Sequence, residues 1–333
     1  MTGSELKTLS PRRRLLIQSA PYLFGCVIFA VLPPLLPMYV QSVMTKILIF
    51  AVFAMSLDLV MGYTGLLSLG HAAFFGVGGY TAAILIRKFD ILNFWIVAPS
   101  SILMASIFAA LLGLIALRVS GIYFLLVTFA LSMLLVSLAS KWYWIRGTDG
   151  MAGILLPDIG VARFHWNAIK FYYFTFLFFV ACYLLMRCIV NSPFGYALRG
   201  IRESESRMRA LGFNTWLYKY IAFIIGGLFA GAAGVLFAHQ SGVIAPWHLG
   251  VTVSTLAMLM CIIGGLGTLW GPVIGALVIV LVEYFSSIYV PERWPLILGA
   301  VFVIAVMFIR GGIATHLSRL WGKMIWKRYG LKL

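Results

Sequence analysis

Three ionisable side chains stand inside otherwise apolar stretches of this chain: Asp58, His71 and Glu283. A charge at membrane depth is costly, so such a group usually faces a watery cavity, marks a solute route or finds a partner. Asp58 falls just before the end of an apolar run, where it either sits at an interface or takes part in a pathway. His71 reads first as a core histidine donating to a neighbouring carbonyl. Glu283 either lines an exit or pairs with Arg293.

The other concentration of chemistry is the hydrophilic stretch from Ser192 to Gly212. Ser192 can cap a helix that begins at Pro193, whose missing N–H costs nothing at a first helical position. Gly212 suits the left-handed residue that ends a helix. Glu203 with Arg207, and Glu205 with Arg209, stand four apart in the favourable order. Leu198, Ile201, Met208 and Leu211 share a rough stripe. One short amphipathic helix is therefore expected here, with an apolar stripe and a charged face that suit docking into a partner's groove. The plainer alternative is a solvated connector whose arginines only set topology.

Other chemistries find little support. Cys26, Cys182, Cys188 and Cys261 are scattered through apolar segments without metal-ligand or disulfide spacing. His239 and His248 flank a turn at Ala245–His248 and are not spaced to bind a metal from one helix face. No phosphate-binding Gly-Lys motif occurs, so the chain is not expected to be an ATPase. No His, Asp, Ser or Cys cluster has catalytic spacing. Neither enzymatic activity nor a cofactor bound by this chain is expected.

The elements that must position these residues follow from composition. Of 333 residues, 62% are hydrophobic and 10% charged, too apolar for a soluble core to hide. The 63 residues from Tyr220 to Val282 carry no Asp, Glu, Lys or Arg. That run is far longer than one ~30 Å crossing and must cross at least twice. The +16 net charge brackets apolar segments and forms no interleaved patch, so it points to membrane topology and not to nucleic acid.

The expected fold is all-α and polytopic, with about ten spans (8–10). They fall near 17–37, 41–61, 66–86, 94–117, 121–140, 168–188, 217–238, 251–267, 272–290 and 295–310. The third and eighth are Gly-rich and could be broken or re-entrant, which is tolerated where protein or a cavity covers the backbone. With both termini in the cytoplasm, 17 of 25 Lys/Arg lie inside; Arg87 and Lys88 are the weak point of that orientation. Residues 1–16 then form a cytoplasmic segment, 17–310 one transmembrane domain, and 311–333 a basic cytoplasmic tail. The domain carries a structured external loop at 141–170 and a cytoplasmic loop at 191–216. Five spans on each side of the external loop would make any internal repeat an inverted one.

Two motif sets carry a resemblance. Ser192-Pro193-Phe194-Gly195, Ala197-Leu198-Arg199-Gly200-Ile201-Arg202-Glu203 and Ala210-Leu211-Gly212-Phe213-Asn214 resemble the coupling segment of branched-chain amino acid ABC permeases. Gly62-Tyr63-Thr64-Gly65-Leu66-Leu67-Ser68-Leu69-Gly70-His71-Ala72-Ala73-Phe74-Phe75-Gly76-Val77-Gly78-Gly79-Tyr80 resembles the signature of the LivM-type subunit. With Ile262–Thr268 and Gly271–Ala276 the likeness runs from about Phe50 to Gly312.

The resemblance implies a bacterial inner-membrane permease working with a sister permease, two ATPase subunits and a periplasmic binding protein. ATP is used by those partners. It places Pro193, Gly195, Arg199, Arg202, Glu203, Glu205, Arg209 and Gly212 in coupling to the ATPase. It makes Asp58, Gly62, Tyr63, Gly65, Ser68, Gly70, His71, Phe74, Gly76, Gly264, Gly265 and Glu283 the candidates for the pathway. Many relatives carry Asn where Asp58 stands. For most of these glycines, tight helix packing is the simpler role. Branched-chain amino acids are the expected cargo, with urea, amides or aromatic acids as alternatives within the family. An ion-gradient-driven carrier is the rival from another class; it would need an indispensable acidic residue and no partners.

Overall fold

The computed structural model describes residues 33–158, 166–289 and 311–317, with Phe29 and a few positions between 296 and 307. Ten α-helices account for most of these residues. They are α1 (Met38–Asp58), α2 (His71–Lys88), α3 (Phe94–Ala116), α4 (Ile122–Lys141), α5 (Ala168–Val190), α6 (Pro193–Glu203), α7 (Glu205–Ala210), α8 (Thr215–Ser241), α9 (Val251–Gly264) and α10 (Gly271–Tyr289). A π-helical turn, Leu59–Tyr63, extends α1.

Six of these are long and apolar enough to cross a membrane: α1 with its π turn, α3, α4, α5, α8 and α10. The expected count of ten is thus not reproduced among the described residues. The third expected span shortens to α2, because residues 65–70 are not helical, and the eighth shortens to the 14-residue α9. Both Gly-rich spans are therefore broken. Most of the first and tenth expected spans, segment 1–16 and most of the tail lie outside the described residues.

Local signals explain where the long helices begin and end. Asn93 caps α3 by accepting from the Trp95 N–H at 2.9 Å, and Asn214 caps α8 by accepting from the Leu217 N–H at 3.2 Å. Gly242 stops α8 in the left-handed region, at φ 68°.

The contacts define two ends of the bundle. At one end α6 meets the π turn of α1, and Gly265 meets Gly312. At the other, Lys88 lies over the Trp144 ring, Gln240 donates to the Ser42 carbonyl and His239 meets the Leu155 carbonyl. A cap of two 3-10 turns, Tyr143–Ile145 and Gly147–Asp149, covers this second end. Its short strand β1 (Met151–Ala152) pairs antiparallel with β2 (Val243–Ile244). Arg87 and Lys88 therefore share an end with the 141–170 loop.

These ends give the helices directions. α1 runs from the cap end to the α6 end, and α8 runs the opposite way. Each is followed by an irregular segment that folds back into the bundle, and then by a shortened helix. α2 leaves the interior toward the cap; α9 leaves it toward α6. Their first turns meet, where the Ala72 N–H donates to the Ser254 hydroxyl at 2.9 Å. Packing repeats in the same sense. α1 lies on α10 as α8 lies on α3, and α2 lies on α3 as α9 lies on α10. Two units of opposite direction, interlocked at their broken helices, make up the core.

α1 and α8 are the most enclosed helices. Their interface with α2 is a close-set aromatic cluster in which the Phe53 and Phe75 rings are 4.7 Å apart and those of Phe75 and Phe237 5.2 Å. Glycines let the backbones approach. A Cβ on Gly78 would strike the backbone of Gly231, and one on Gly234 the Phe75 carbonyl. α3, α4 and α5 keep most of their apolar surface outward.

Candidate functional site where the coupling segment meets the broken helices

Residues 192–212 form two helices, not the single helix expected. Ser192 caps α6, its hydroxyl accepting from the Gly195 N–H at 3.4 Å, with Pro193 at the first position. Gly195 lies against the Val190 carbonyl, leaving no space for a side chain. Ser204 then breaks the rod, with an extended backbone (φ −161°), and caps α7 through the Arg207 N–H. A serine offers the backbone this alternative to continuing a helix. The break also separates Glu203 from Arg207, and among the described residues no ion pair joins them. Gly212 ends α7 at φ 88°, the expected left-handed stop.

The apolar stripe does not face outward as a unit. Leu198 and Ile201 are buried, and Leu198 clusters with Leu59, Tyr63, Val190 and Ala222 of the membrane helices. Met208 folds back onto Gly200. Leu211 is 72% exposed. The opposite face of α6 and α7 is open, with Tyr196, Glu203, Arg207 and Leu211 exposed.

Glu205 is held within the chain. It accepts from Lys219 Nζ at 2.5 Å, from Arg209 Nη2 at 2.6 Å and from the Thr215 hydroxyl at 3.0 Å. Partial burial alone would raise its carboxyl. The hydrogen bonds from Lys219, Arg209 and Thr215, with the Lys219 charge, instead pull it down to about 2. The expected Glu205–Arg209 pair is thus present, as part of a knot that ties α7 to the start of α8.

Beneath α6 lies a close junction between the two broken segments. Asp58 is fully buried within the chain. Its carboxylate accepts from the Gly267 N–H at 2.7 Å and the Leu269 N–H at 3.2 Å. One turn on, Gly62 packs so closely that a Cβ would collide with the Asp58 carboxylate and the Gly267 nitrogen. Arg202 of α6 donates to the Gly62 carbonyl. Arg199 lies over the Tyr63 ring, 5.1 Å from its centroid. Gly65, at φ 78°, presents its bare Cα to the stem of Arg202.

The remaining candidates spread through the interior. Gly70 lies on the Thr128 carbonyl, and the Leu69 N–H donates to Thr128 Oγ1 at 3.2 Å. Ser68 is buried. His71 Nε2 meets the Ser56 hydroxyl at 2.9 Å, and not a carbonyl as expected. The same Ser56 hydroxyl lies within hydrogen-bond reach of the Phe53 carbonyl. Its ring lies beside Phe53 and edge-on to Phe74. Gly76 packs on Leu249, whose Cγ a Cβ would approach to 2.5 Å. Gly264 lies on the Gly271 backbone, and Gly265, at φ 120°, faces Gly311 and Gly312. Glu283 stands at the other end of the bundle, paired with Lys46 at 2.9 Å; Arg293, its expected partner, lies outside the described residues. Asp58, Gly62, Tyr63 and Gly65 thus gather under Arg199 and Arg202, while His71, Phe74, Gly76 and Glu283 do not.

Residues 39–308 match the family model of the branched-chain amino acid transport system permease component. The chain belongs to this permease family. Among its relatives, the high-affinity branched-chain amino acid transport system permease protein LivM of Escherichia coli is 27% identical over 295 residues, covering 82% of this chain and 69% of the relative. LivH of Salmonella typhimurium, from the same kind of system, is 24% identical and covers 78% of this chain and 89% of its own length. The autoinducer 2 import system permease protein LsrC of Escherichia coli is 24% identical over 316 residues, covering 89% and 88%. No solved structure matches the chain.

Gly267, expected only as a packing glycine, and Leu269 hold Asp58 through backbone N–H groups, which residue type cannot reveal. Lys46 was visible as a lone cation at the head of an apolar helix, but its partner lies 237 positions away.

Proposed function

We propose that this chain forms half of the solute pathway of an ATP-driven importer of the bacterial inner membrane, carrying branched-chain amino acids. Its α6–α7 face receives an ATPase subunit, a sister permease of the LivH kind completes the pathway, and a periplasmic binding protein delivers the solute. ATP is bound and hydrolysed by the partners. The α6 end of the bundle faces the cytoplasm and the β1–β2 cap faces outward.

The observation that carries this reading is the seat of α6 on the broken end of α1, made by Leu198, Arg199 and Arg202. A helix that both offers an outer face and grips an irregular membrane segment can pass a partner's movement inward. Packed interfaces switch between discrete arrangements more readily than they deform. Both acidic residues on which an ion-gradient mechanism would rely are engaged inside the chain, Asp58 by N–H groups and Glu283 by Lys46. That weighs toward the ATP-driven reading. Relatives named for branched-chain amino acids and for autoinducer 2 share this family, so the binding protein, more than the permease, is expected to select the cargo.

The test is uptake of radiolabelled isoleucine by cells lacking their own systems. They would express this chain with its sister permease, ATPases and binding protein. Uptake should appear only with the full set and should be competed by leucine and valine. Uptake of urea or an amide in place of isoleucine would overturn the cargo. Uptake without the ATPases would overturn the mechanism.

A further inference from the structure

The two broken segments come from opposite halves of the molecule, yet one side chain of the coupling segment touches both. Arg202 Nη1 donates to the carbonyl of Gly62, in the π turn that ends α1. The same nitrogen lies against Gly267, in the turn after α9; a Cβ there would come within 2.9 Å of it. The Arg202 stem rests on Gly65, where a Cβ would meet its Cγ at 3.3 Å. Gly62 and Gly267 are themselves locked, since a Cβ on Gly267 would approach the Gly62 carbonyl to 3.0 Å. Asp58 closes the arrangement by accepting from Gly267 and Leu269. Gly65 and Gly267 leave space that the stem and the guanidinium fill, while the space at Gly62 is taken by the Asp58 carboxylate and the Gly267 nitrogen.

We infer that Arg202 is the positioning residue through which α6 displaces both broken segments as one unit. This deepens the importer reading and rests on it. Arg199 lies over Tyr63 of the first segment and Tyr196 of its own helix, so its loss should not separate the two segments. A lysine would keep the stem on Gly65 but would offer one mobile ammonium in place of the fixed Nη1 that meets both Gly62 and Gly267. The inference concerns transmission inside the chain, not attachment of the ATPase, and the two predict different losses.

The experiment uses the complete complex in proteoliposomes and reads ATP hydrolysed per solute imported, alongside complex assembly by gel filtration. Arg202→Ala should assemble and hydrolyse ATP, with the ratio raised about fivefold or more, the lower range of a typical coupling energy. Arg202→Lys should fall between that and the parent. An unchanged ratio in Arg202→Ala would overturn the inference. So would loss of ATPase subunits from the complex, because Arg202 would then be a docking contact. Should the alanine variant not insert, Arg202→Lys decides alone: a parental ratio sinks the idea. If the parent complex itself imports without ATP, the importer reading has failed first.

Discussion

At the scale of single residues, the account turns on Asp58 as a buried acceptor rather than a solute ligand. Asp58→Ala should leave the N–H groups of Gly267 and Leu269 unpaired, each at a cost of about 1–3 kcal/mol. The purified protein should therefore unfold at a clearly lower temperature in detergent, with transport falling in parallel. Asp58→Asn keeps one carbonyl oxygen and should fall less far. Unchanged stability in the alanine variant would show that the turn at Gly267–Leu269 does not depend on the carboxylate. The sequence singled out Asp58 correctly, as a charge out of place. It could not show the partner, because backbone donors 209 positions away leave no mark in residue type. His71 was legible in the same limited way: its burial could be expected, but not its bond to Ser56.

Glu205 allows a prediction about pH at the same scale. Its carboxyl is lowered from an ordinary 4.5 to about 2. A lowered carboxyl contributes stability that is complete above its ordinary value and is lost as pH falls toward the lowered one. The tie between α7 and α8 should thus be constant from neutrality down to about pH 5 and weaken below about pH 4. Hydrogen exchange of the α7 amides across that range would check it. Loosening between neutrality and pH 5 would mean another group controls the segment.

At the scale of elements, the two-helix form of residues 192–212 changes which charge the proposed docking could use. Glu203 is exposed, whereas Glu205 is consumed by Lys219, Arg209 and Thr215. Glu203→Arg should weaken ATPase attachment and slow uptake while leaving the thermal stability of the isolated chain unchanged. Glu205→Arg should lower that stability itself. Equal thermal shifts for both would contradict the division. Both ends of the segment could be read in advance from Ser192-Pro193 and Gly212. The break in its middle is masked by the Glu203–Arg207 spacing, which supports a continuous helix, although Ser204 carries a capping signal of its own.

Gly76 belongs to the same scale. Its bare face takes Leu249 from the re-entrant segment after α8. Gly76→Leu would have to push that segment away, and overpacking of this kind typically costs 1–3 kcal/mol. The expected result is normal membrane insertion with uptake abolished. Normal uptake at normal expression would show that α2 and the 243–250 segment are free to separate.

At the scale of the whole molecule, two oppositely directed units interlock where α2 and α9 begin. Five spans on each side of the 141–170 loop would make any repeat an inverted one. That count is not reproduced among the described residues, and the opposed directions of the two units depend on where each Gly-rich span breaks. Hydrophobic runs give the number of crossings only where helices are continuous. A Gly-rich segment whose helix is interrupted, as at residues 65–70, has the same composition as one that spans.

The central claim is that nucleotide energy enters this bundle through α6 and α7. Its most direct test is solute accumulation in proteoliposomes containing the chain alone, or the chain with its sister permease and ATPases, under an ion gradient or with ATP. The account predicts accumulation only in the complete complex and only with ATP. Accumulation by the chain alone, driven by the gradient, would contradict it.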